Sequence, residues 1–359
     1  PDMPTMIFGR LLQGMGGGGL VSIAFIGAST LFPKKLWVRT IAVISGVWGV
    51  SSLCGPLIGG YFVSGGNWRG AFWAFAAQGL VAVLVAPPLL RTQFQIQKEQ
   101  NQRMPLARLG LLGVAVLAIC QAGVTKSTIV ASFLCVGGVL LLLAFLKLDA
   151  DSKNRIFPQG ILNPKTVSGS GLLMISSLFM ATISLTVYGP LLMYIIFGAG
   201  PLVAGYIIAL ESLGWTTVAI ITSGVNVRFE SRLIRLGSIL VSISMVGMIY
   251  AMPSGPLWLI ALFSTIMGMG FGMSWSFVSK RIIANVSEAE RTNASASIPT
   301  FMRVSMALGS ALSGIIANFS GFSEDSSVEV AQNVAFWCFA AFVPLILVGL
   351  FTAWRVSQE

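Results

Sequence analysis

Apolar runs of about 20 residues alternate with short polar segments from one end of the chain to the other. A helix of that length crosses the ~30 Å hydrocarbon core of a bilayer, and Gly, Pro and charged residues separate one run from the next. The pattern predicts an all-α integral membrane protein with eleven transmembrane helices. The predicted spans cover residues 5–32, 40–63, 70–90, 107–124, 127–147, 170–197, 202–224, 234–252, 256–279, 295–318 and 331–354.

The composition is that of a chain surrounded by lipid. Of 359 residues, 55% are hydrophobic and 9% are charged, whereas soluble domains are roughly one quarter charged. Histidine is absent, and the four cysteines lie in apolar runs without Cys-x-x-Cys spacing, so we expect neither a metal site nor a disulfide framework. No phosphate-binding motif is present either. These observations argue against an enzyme.

The basic residues sort to one side of the membrane when the eleven spans are threaded through it. Eighteen of the 22 Lys and Arg fall on that side, which explains the net charge of +10 without any nucleic-acid partner. Arg69 and Lys126 lie on the opposite side, and Arg10 and Arg303 fall inside spans. Because cytoplasmic loops are enriched in Lys and Arg, we expect the N-terminal end outside and the C-terminus in the cytoplasm, in a plasma or inner membrane.

Two regions of the chain repeat the same order of features in the same orientation. Residues 13–19 and 267–272 are Gly-rich, each lies in a span that leads into a basic loop, and an Arg-Thr pair opens the next segment in both cases. Parallel repeats of this kind build one large class of transporters, with the substrate bound between the halves. The alternative is that small residues recur because they permit close helix packing.

The most specific signal is the stretch GVWGVSSLCGPLIGG at residues 46–60. It resembles the antiporter signature in the fifth helix of the fourteen-helix drug:proton antiporters, a branch of the major facilitator superfamily, with Ser51 where that branch usually has Gly. RLLQGMGG at 10–17 resembles the fourth helix of the branch, and the Trp-Arg pair at 68–69 resembles the start of the sixth. Residues 224–235 resemble a degenerate copy of the family's basic loop motif.

The resemblance implies a two-bundle helical transporter that works by alternating access, is driven by the proton gradient and needs no cofactor. It also implies that three helices precede this sequence in a complete family member. Residues 1–90 then form part of an N-terminal bundle, and 169–359 form a C-terminal bundle of six helices. Residues 91–168 supply a cytoplasmic linker, an inserted transmembrane hairpin and the following loop. We expect a small-molecule substrate, a surrounding lipid bilayer and a monomer.

Three ionisable residues lie inside predicted spans, where charge is costly and usually functional. Glu211 is about 14 Å into its span, near the midplane. Because burial disfavours the charged form of a carboxylate, Glu211 is the candidate proton-coupling residue, and pairing with an interior Arg is the structural alternative. The resemblance implies that Arg10 tunes a carboxylate, although it could instead bond helix-end carbonyls. Arg303 is expected to contact an anionic part of the cargo or to neutralise Glu211.

Three further sets of residues are candidates for function. Through the resemblance, the signature helix controls leakage and rocking, since its glycines permit close approach and its proline kinks the helix. Its residues are Gly46, Gly49, Gly55, Pro56, Gly59 and Gly60. Polar and aromatic residues that could line a cavity for greasy cations are Gln13, Gln78, Gln121, Tyr188, Tyr194, Trp215 and Trp275. The candidate cytoplasmic gate is Arg228, Arg232 and Arg235.

The sequence thus predicts a secondary active transporter that exports drugs or small amphipathic molecules in exchange for protons. Two alternatives stay open. The same fold could export an anionic metabolite through a contact with Arg303, or the chain could be a truncated membrane protein that does not transport.

Overall fold

The computed structural model describes residues 2–64, 66–90, 105–152, 154–160, 163–322 and 327–358. Thirteen α-helices lie in these ranges. They are α1 (Met3–Thr30), α2 (Trp37–Ser64), α3 (Trp68–Leu90), α4 (Leu106–Val124), α5 (Thr128–Ala150), α6 (Val167–Val187), α7 (Gly189–Phe197), α8 (Pro201–Thr222), α9 (Val227–Ser254), α10 (Leu257–Ala284), α11 (Arg291–Phe319), α12 (Val328–Ala340) and α13 (Val343–Val356). Eleven helical stretches are long and apolar enough to cross a membrane, so the predicted number of spans and the all-α fold are confirmed.

Two predicted spans are each divided into a pair of helices, which the sequence interpretation missed. The span at 170–197 breaks between α6 and α7, where Pro190 is the second residue of α7. The span at 331–354 breaks between α12 and α13, where Pro344 is the second residue of α13. A proline has no N–H to donate to the carbonyl four residues earlier, so one hydrogen bond is missing from the ladder at each of these positions.

Helices α9, α10 and α11 extend further into the basic loops than the predicted spans. Helix α9 begins at Val227 rather than at 234, α10 continues to Ala284 rather than 279, and α11 begins at Arg291 rather than 295. Charged side chains at these ends lie where a spanning helix leaves the hydrocarbon, so a hydropathy boundary stops before the helix does. The basic loops define one end of the bundle, which is called the basic end below.

The C-terminal half is built around α10, which packs against α8, α9 and α6. Glycines make the first two contacts close: a Cβ on Gly268 would lie 1.8 Å from the Glu211 carbonyl oxygen of α8, and one on Gly270 would lie 2.6 Å from the Gly237 carbonyl oxygen of α9. Helix α13 packs on α6 and α9, and α12 packs on α9. The core of the protein therefore lies among α6 and α8–α13.

Of the first three helices, α1 and α2 pack directly on the core, whereas α3 packs on α2. Helix α2 packs on α8 and α10, and α1 packs on α11. The hairpin of α4 and α5 packs on α11 through α4. Residues 91–104, where the predicted cytoplasmic linker begins, lie outside the described residues, and the predicted domain boundaries stay predictions.

Candidate functional site

Six aromatic rings meet at the contact between the N-terminal helices and the core. Trp215 of α8 stacks on Phe271 of α10 with ring centroids 5.2 Å apart, and Phe179 of α6 stacks on the same Phe271 ring at 4.7 Å. Trp275 contacts Trp215 edge-on at 5.5 Å and Phe179 at 5.6 Å. These four rings are joined by two from the N-terminal helices.

Those two rings come from α1 and α2. Phe25 of α1 contacts Trp275 at 6.0 Å, and Trp48 of α2 contacts Trp215 at 6.1 Å, both edge-on. The aromatic cluster is defined here as Phe25, Trp48, Phe179, Trp215, Phe271 and Trp275. It is drawn from five helices, and the indole N–H of Trp215 is buried without a hydrogen-bond partner among the described residues.

Glu211 lies one helical turn from Trp215, in the middle of the 22-residue helix α8. Its backbone packs closely against Gly268 of α10, and the residue is half-buried. In the described ranges no Lys or Arg nitrogen lies within 4.0 Å of its carboxylate, and no hydrogen bond to it is formed. The alternative that Glu211 is locked in an ion pair with an interior arginine therefore finds no partner in this part of the chain.

Arg303 of α11 reaches the aromatic cluster from the other side. Its guanidinium carbon lies 5.9 Å from the centroid of the Trp48 ring, within the range of a cation–π contact. The side chain is exposed, and no carboxylate among the described residues pairs with it. Trp48 therefore contacts both Arg303 and Trp215. A cation and a carboxylate that have no ion pair in the described ranges thus lie near the same cluster.

The remaining polar candidates do not join this group. Arg10 donates to the Gln13 side-chain oxygen at 3.0 Å and lies 5.1 Å from the ring centroid of Phe72 in α3, so it contacts no carboxylate in the described ranges. Gln78 and Gln121 are exposed, and so is Tyr194 with 61% of its surface accessible.

Tyr188 marks the break between α6 and α7. Its ring contacts Phe322 at 6.4 Å, at the end of the bundle opposite the basic end. Of the seven residues predicted to line a cavity, the structure therefore brings together Trp215 and Trp275.

Among the signature glycines whose surroundings the structure describes, Gly49 lies at a close helix contact. A Cβ there would lie 2.2 Å from Oγ1 of Thr216 in α8, and the Thr216 hydroxyl donates to the Ser45 carbonyl at 2.9 Å. A Cβ on Gly46, Gly55 or Gly59 would meet no described atom within 4 Å.

Helix α2 runs without interruption past Pro56 and Gly60 to Ser64. The helix is therefore not broken at the Gly-Pro pair, and a kink at the proline stays a prediction. The proline lies well inside a 28-residue helix, and a membrane helix can absorb the missing donor by a local adjustment.

The three arginines of the predicted gate lie on the first turns of α9 rather than in a loop. Arg228 and Arg232 lie over the ring of Phe229 at 4.9 and 5.5 Å, and Arg235 lies over Trp354 of α13 at 4.8 Å. These contacts stay within the C-terminal half, so the role of the arginines in a gate stays a prediction.

Other residues join the halves at the basic end, and sequence reasoning missed them. Ser295 of α11 donates to the Ser29 hydroxyl of α1 at 2.7 Å, and Arg291 lies 6.0 Å from the ring centroid of Trp37. Small hydroxyls and aromatic rings are common in membrane helices, so no local pattern distinguishes these from residues that face lipid. The nearest sequence signal was the repeated Arg-Thr pair, which places Arg291 at the start of α11.

An ion pair also lies at this end. Lys280 Nζ donates to Glu230 at 2.7 Å, and Glu230 is 4% exposed. Among the described residues no three His, Cys, Asp or Glu side chains are grouped to hold a metal ion.

The helices and the site together define a multi-pass membrane protein with an unpaired, half-buried carboxylate at the middle of α8. Sequence comparison identifies the family: the Major Facilitator Superfamily profile matches residues 1–276. The chain belongs to this superfamily, whose members are transporters rather than enzymes.

Individual relatives are distant in sequence, and the first two below cover nearly the whole chain whereas the third covers half of it. A protein of Mycobacterium tuberculosis named "Probable multidrug-efflux transporter" is 26% identical over 100% of this chain and 77% of its own length. The "Riboflavin transporter RibZ" of Clostridioides difficile is 24% identical over 98% of this chain and 78% of its own length. "Efflux pump mlcE" of Penicillium citrinum is 29% identical over 50% of this chain and 35% of its own length.

Proposed function

We propose that the protein exports amphipathic small molecules across a cell membrane in exchange for protons, and that Glu211 carries the proton. The observation that carries this proposal is the unpaired, half-buried carboxylate at the middle of α8, one turn from a cluster of six aromatic rings. Desolvation favours the neutral form of such a group. A cation that enters beside it favours the ionised form, so protonation and binding of a cationic substrate exclude each other.

The aromatic cluster supports a proposal for the substrate class. Five of its rings are buried here, and in an arrangement that opens the cluster they would offer flat apolar faces to planar molecules and cation–π contacts to positive charge. The names of two relatives are consistent with such substrates, since one is called a probable multidrug-efflux transporter and another a riboflavin transporter. We therefore propose planar aromatic compounds, with or without a positive charge, as substrates.

The orientation of the protein in the membrane is proposed from the distribution of charge. With the basic end in the cytoplasm, the first residues of the chain lie outside and the C-terminus inside. The contacts of α1 and α2 with the core, which include Ser29–Ser295 and Thr216–Ser45, lie on the basic side of Glu211. This arrangement corresponds to the state of an alternating-access cycle that is closed towards the cytoplasm.

The test is transport of ethidium, a planar cation, by the purified chain in proteoliposomes with an imposed pH gradient. We expect Glu211→Gln to lose gradient-driven ethidium movement by at least tenfold, because the amide cannot release a proton. Glu211→Asp should retain part of the activity, and Glu329→Gln, which removes an exposed carboxylate from the first turn of α12, should retain all of it. Unchanged gradient-driven transport in Glu211→Gln would refute the proposal.

A second candidate function is export of organic anions, and the unpaired, exposed guanidinium of Arg303 favours it. Carboxyfluorescein is a suitable anionic probe in the same liposomes. If the substrate is an anion, carboxyfluorescein is transported, Arg303→Gln abolishes that transport, and ethidium is not moved by the wild-type protein.

A further inference from the structure

The chain after α5 turns back over the basic end of the α4–α5 hairpin, and one buried carboxylate holds it there. Asp149, near the end of α5, is 3% exposed and forms an ion pair with Arg108 of α4. The same carboxylate accepts the backbone N–H groups of Ile156 at 2.9 Å and of Phe157 at 3.0 Å. Arg108 also donates to the carbonyl of Asn154. The segment after α5 is therefore a fixed part of the fold.

This fold-back inserts Phe157 between the hairpin and the core. Its ring centroid lies 5.8 Å from that of Phe145 in α5 and 4.9 Å from that of Phe301 in α11. Phe157 is buried, and together with Leu146 it forms a wall shared by two cavities. The two cavities are called the inner and the outer cavity below.

The inner cavity has a volume of about 120 Å³ and lies between the hairpin, α6 and α11. Its lining is almost entirely apolar and includes Leu112, Leu142, Met180, Val304 and Leu308. Leu308 is about 25 Å along α11 from the basic end, so the cavity runs to the depth at which the acyl chains of a bilayer lie.

The outer cavity, of about 130 Å³, lies on the other side of Phe157 at the basic end. Arg155, Gln159 and Asn163 line it and supply polar groups. Asp149 also lines it, but its charge is matched by Arg108.

The exposed charges next to the outer cavity have a positive excess. Lys147 follows Leu146 in the chain, and Lys165 is bonded through its backbone N–H to the Asn163 side chain. Two acidic residues are nearby: Glu290 accepts the Gln159 N–H at 3.0 Å, and the exposed Asp151 follows Ala150 of the cavity wall. With Arg155, three cations therefore stand against two carboxylates that have no ion pair among the described residues.

We propose that the two cavities together bind an anionic phospholipid, with its phosphate at Arg155 and a segment of one acyl chain in the inner cavity. An apolar cavity at hydrocarbon depth and a polar cavity with an excess of cations lie on the two sides of Phe157, and they match the two parts of such a lipid. Basic pockets between transmembrane helices bind anionic headgroups in this way. A bilayer also presents phospholipid to this face at high local concentration. The site is separate from Glu211 and is independent of the transport function proposed above.

Headgroup selectivity is tested with the full chain purified in a mild detergent. Native mass spectrometry counts the phospholipids retained when palmitoyl-oleoyl phosphatidylglycerol or phosphatidylcholine is added at equal concentration. We expect retention of phosphatidylglycerol to exceed that of phosphatidylcholine by about tenfold. Arg155→Gln should remove this preference and Arg155→Lys should keep most of it. Lys35→Gln, which removes an exposed cation at the same end of the bundle, is the matched control and should change nothing.

The acyl-chain part is tested separately, without relying on a variant that could misfold. On the wild-type chain, glycerophosphoglycerol, which is the headgroup without acyl chains, should bind at least tenfold more weakly than the palmitoyl-oleoyl lipid, since it leaves the inner cavity empty. Leu142→Trp, which fills that cavity from α5, should weaken binding of the lipid and leave binding of the free headgroup unchanged. Equal retention of the two headgroups, equal binding by Arg155→Gln, or displacement of the lipid by ethidium would overturn the proposal.

Discussion

Gly49 of α2 packs closely against Thr216 of α8, so adding one methyl group at Gly49 should disturb the contact between these two helices. In Gly49→Ala the new Cβ would lie 2.2 Å from Thr216 Oγ1 and 2.7 Å from Thr216 Cβ. Rotation of the threonine can move the hydroxyl, but it breaks the 2.9 Å hydrogen bond to the Ser45 carbonyl. The Cβ atom is fixed to the backbone, so α2 and α8 must also separate by a few tenths of an ångström.

The free-energy cost of Gly49→Ala is the sum of these two effects. Loss of the hydrogen bond costs about 1 kcal/mol, and overpacking of a tight contact costs about 1–3 kcal/mol. Together they disfavour the arrangement closed at the basic end by about 2–4 kcal/mol. Since 1.4 kcal/mol is a factor of ten, the population of the opened arrangement rises by roughly 30- to 700-fold.

Cysteine labelling measures this shift. Ser45 is 2% exposed beside the contact, so Ser45→Cys, in a chain whose four natural cysteines are replaced by alanine, reports opening through its reaction with a hydrophilic maleimide. We expect labelling to be at least tenfold faster with Gly49→Ala. Gly46→Ala is the matched control from the same helix, because its Cβ meets no described atom within 4 Å.

Steric rescue distinguishes this contact from a general loss of stability. Thr216→Gly removes the colliding side chain, so the double variant Gly49→Ala with Thr216→Gly should label more slowly than Gly49→Ala alone. If Gly49→Ala labels at the wild-type rate in folded protein, the Gly49–Thr216 contact does not hold the basic end closed.

Three further outcomes are expected, each read as thermal unfolding in detergent unless stated. Gly268→Ala should destabilise the fold by about 1–3 kcal/mol or more because its Cβ meets the backbone of α8. Gly18→Ala, whose Cβ meets no described atom within 4 Å, should not destabilise it, and equal melting temperatures of the two variants would contradict this reasoning. Asp149→Ala should cost about 3–5 kcal/mol and expose residues 151–160 to protease, while Asp151→Ala, at an exposed position, should do neither. Trp215→Phe should melt close to the wild type because the indole N–H has no partner in the described structure, and Trp215→Ala should lose about 3–5 kcal/mol; a large loss in Trp215→Phe would show that the N–H is bonded.

The spans could be predicted from the sequence because length and hydropathy alone decide which segments cross a bilayer. The breaks at Pro190 and Pro344 could not be predicted with the same certainty. Pro56 and Pro299 lie inside continuous helices, so a proline in an apolar run does not decide by itself whether the helix restarts. The outcome depends on whether neighbouring helices satisfy the freed carbonyl.

The site was predicted in part for a similar reason. Glu211 was found because a carboxylate inside an apolar run is rare and costly. Trp215 and Trp275 were named among seven candidates, but Phe25, Phe179 and Phe271 were not. A buried ring and a lipid-facing ring have the same hydropathy, so only the packing of five helices shows which rings meet.

The position of Glu211 relative to the aromatic cluster connects the contact at Gly49 with the proposed exchange of protons. Trp215 is four residues, or about 6 Å, closer to the basic end than Glu211, and the Thr216–Ser45 hydrogen bond lies beside it. The rings and this contact therefore stand between the carboxylate and the basic end. A proton can exchange with only one side of the membrane while that barrier is intact. If Glu211 carries the proton, Gly49→Ala should admit protons from both sides and uncouple ethidium movement from the pH gradient while leaving binding intact. An uncoupled Gly49→Ala together with a coupled Gly46→Ala would identify this packing contact as the one that keeps the two sides of the membrane separate.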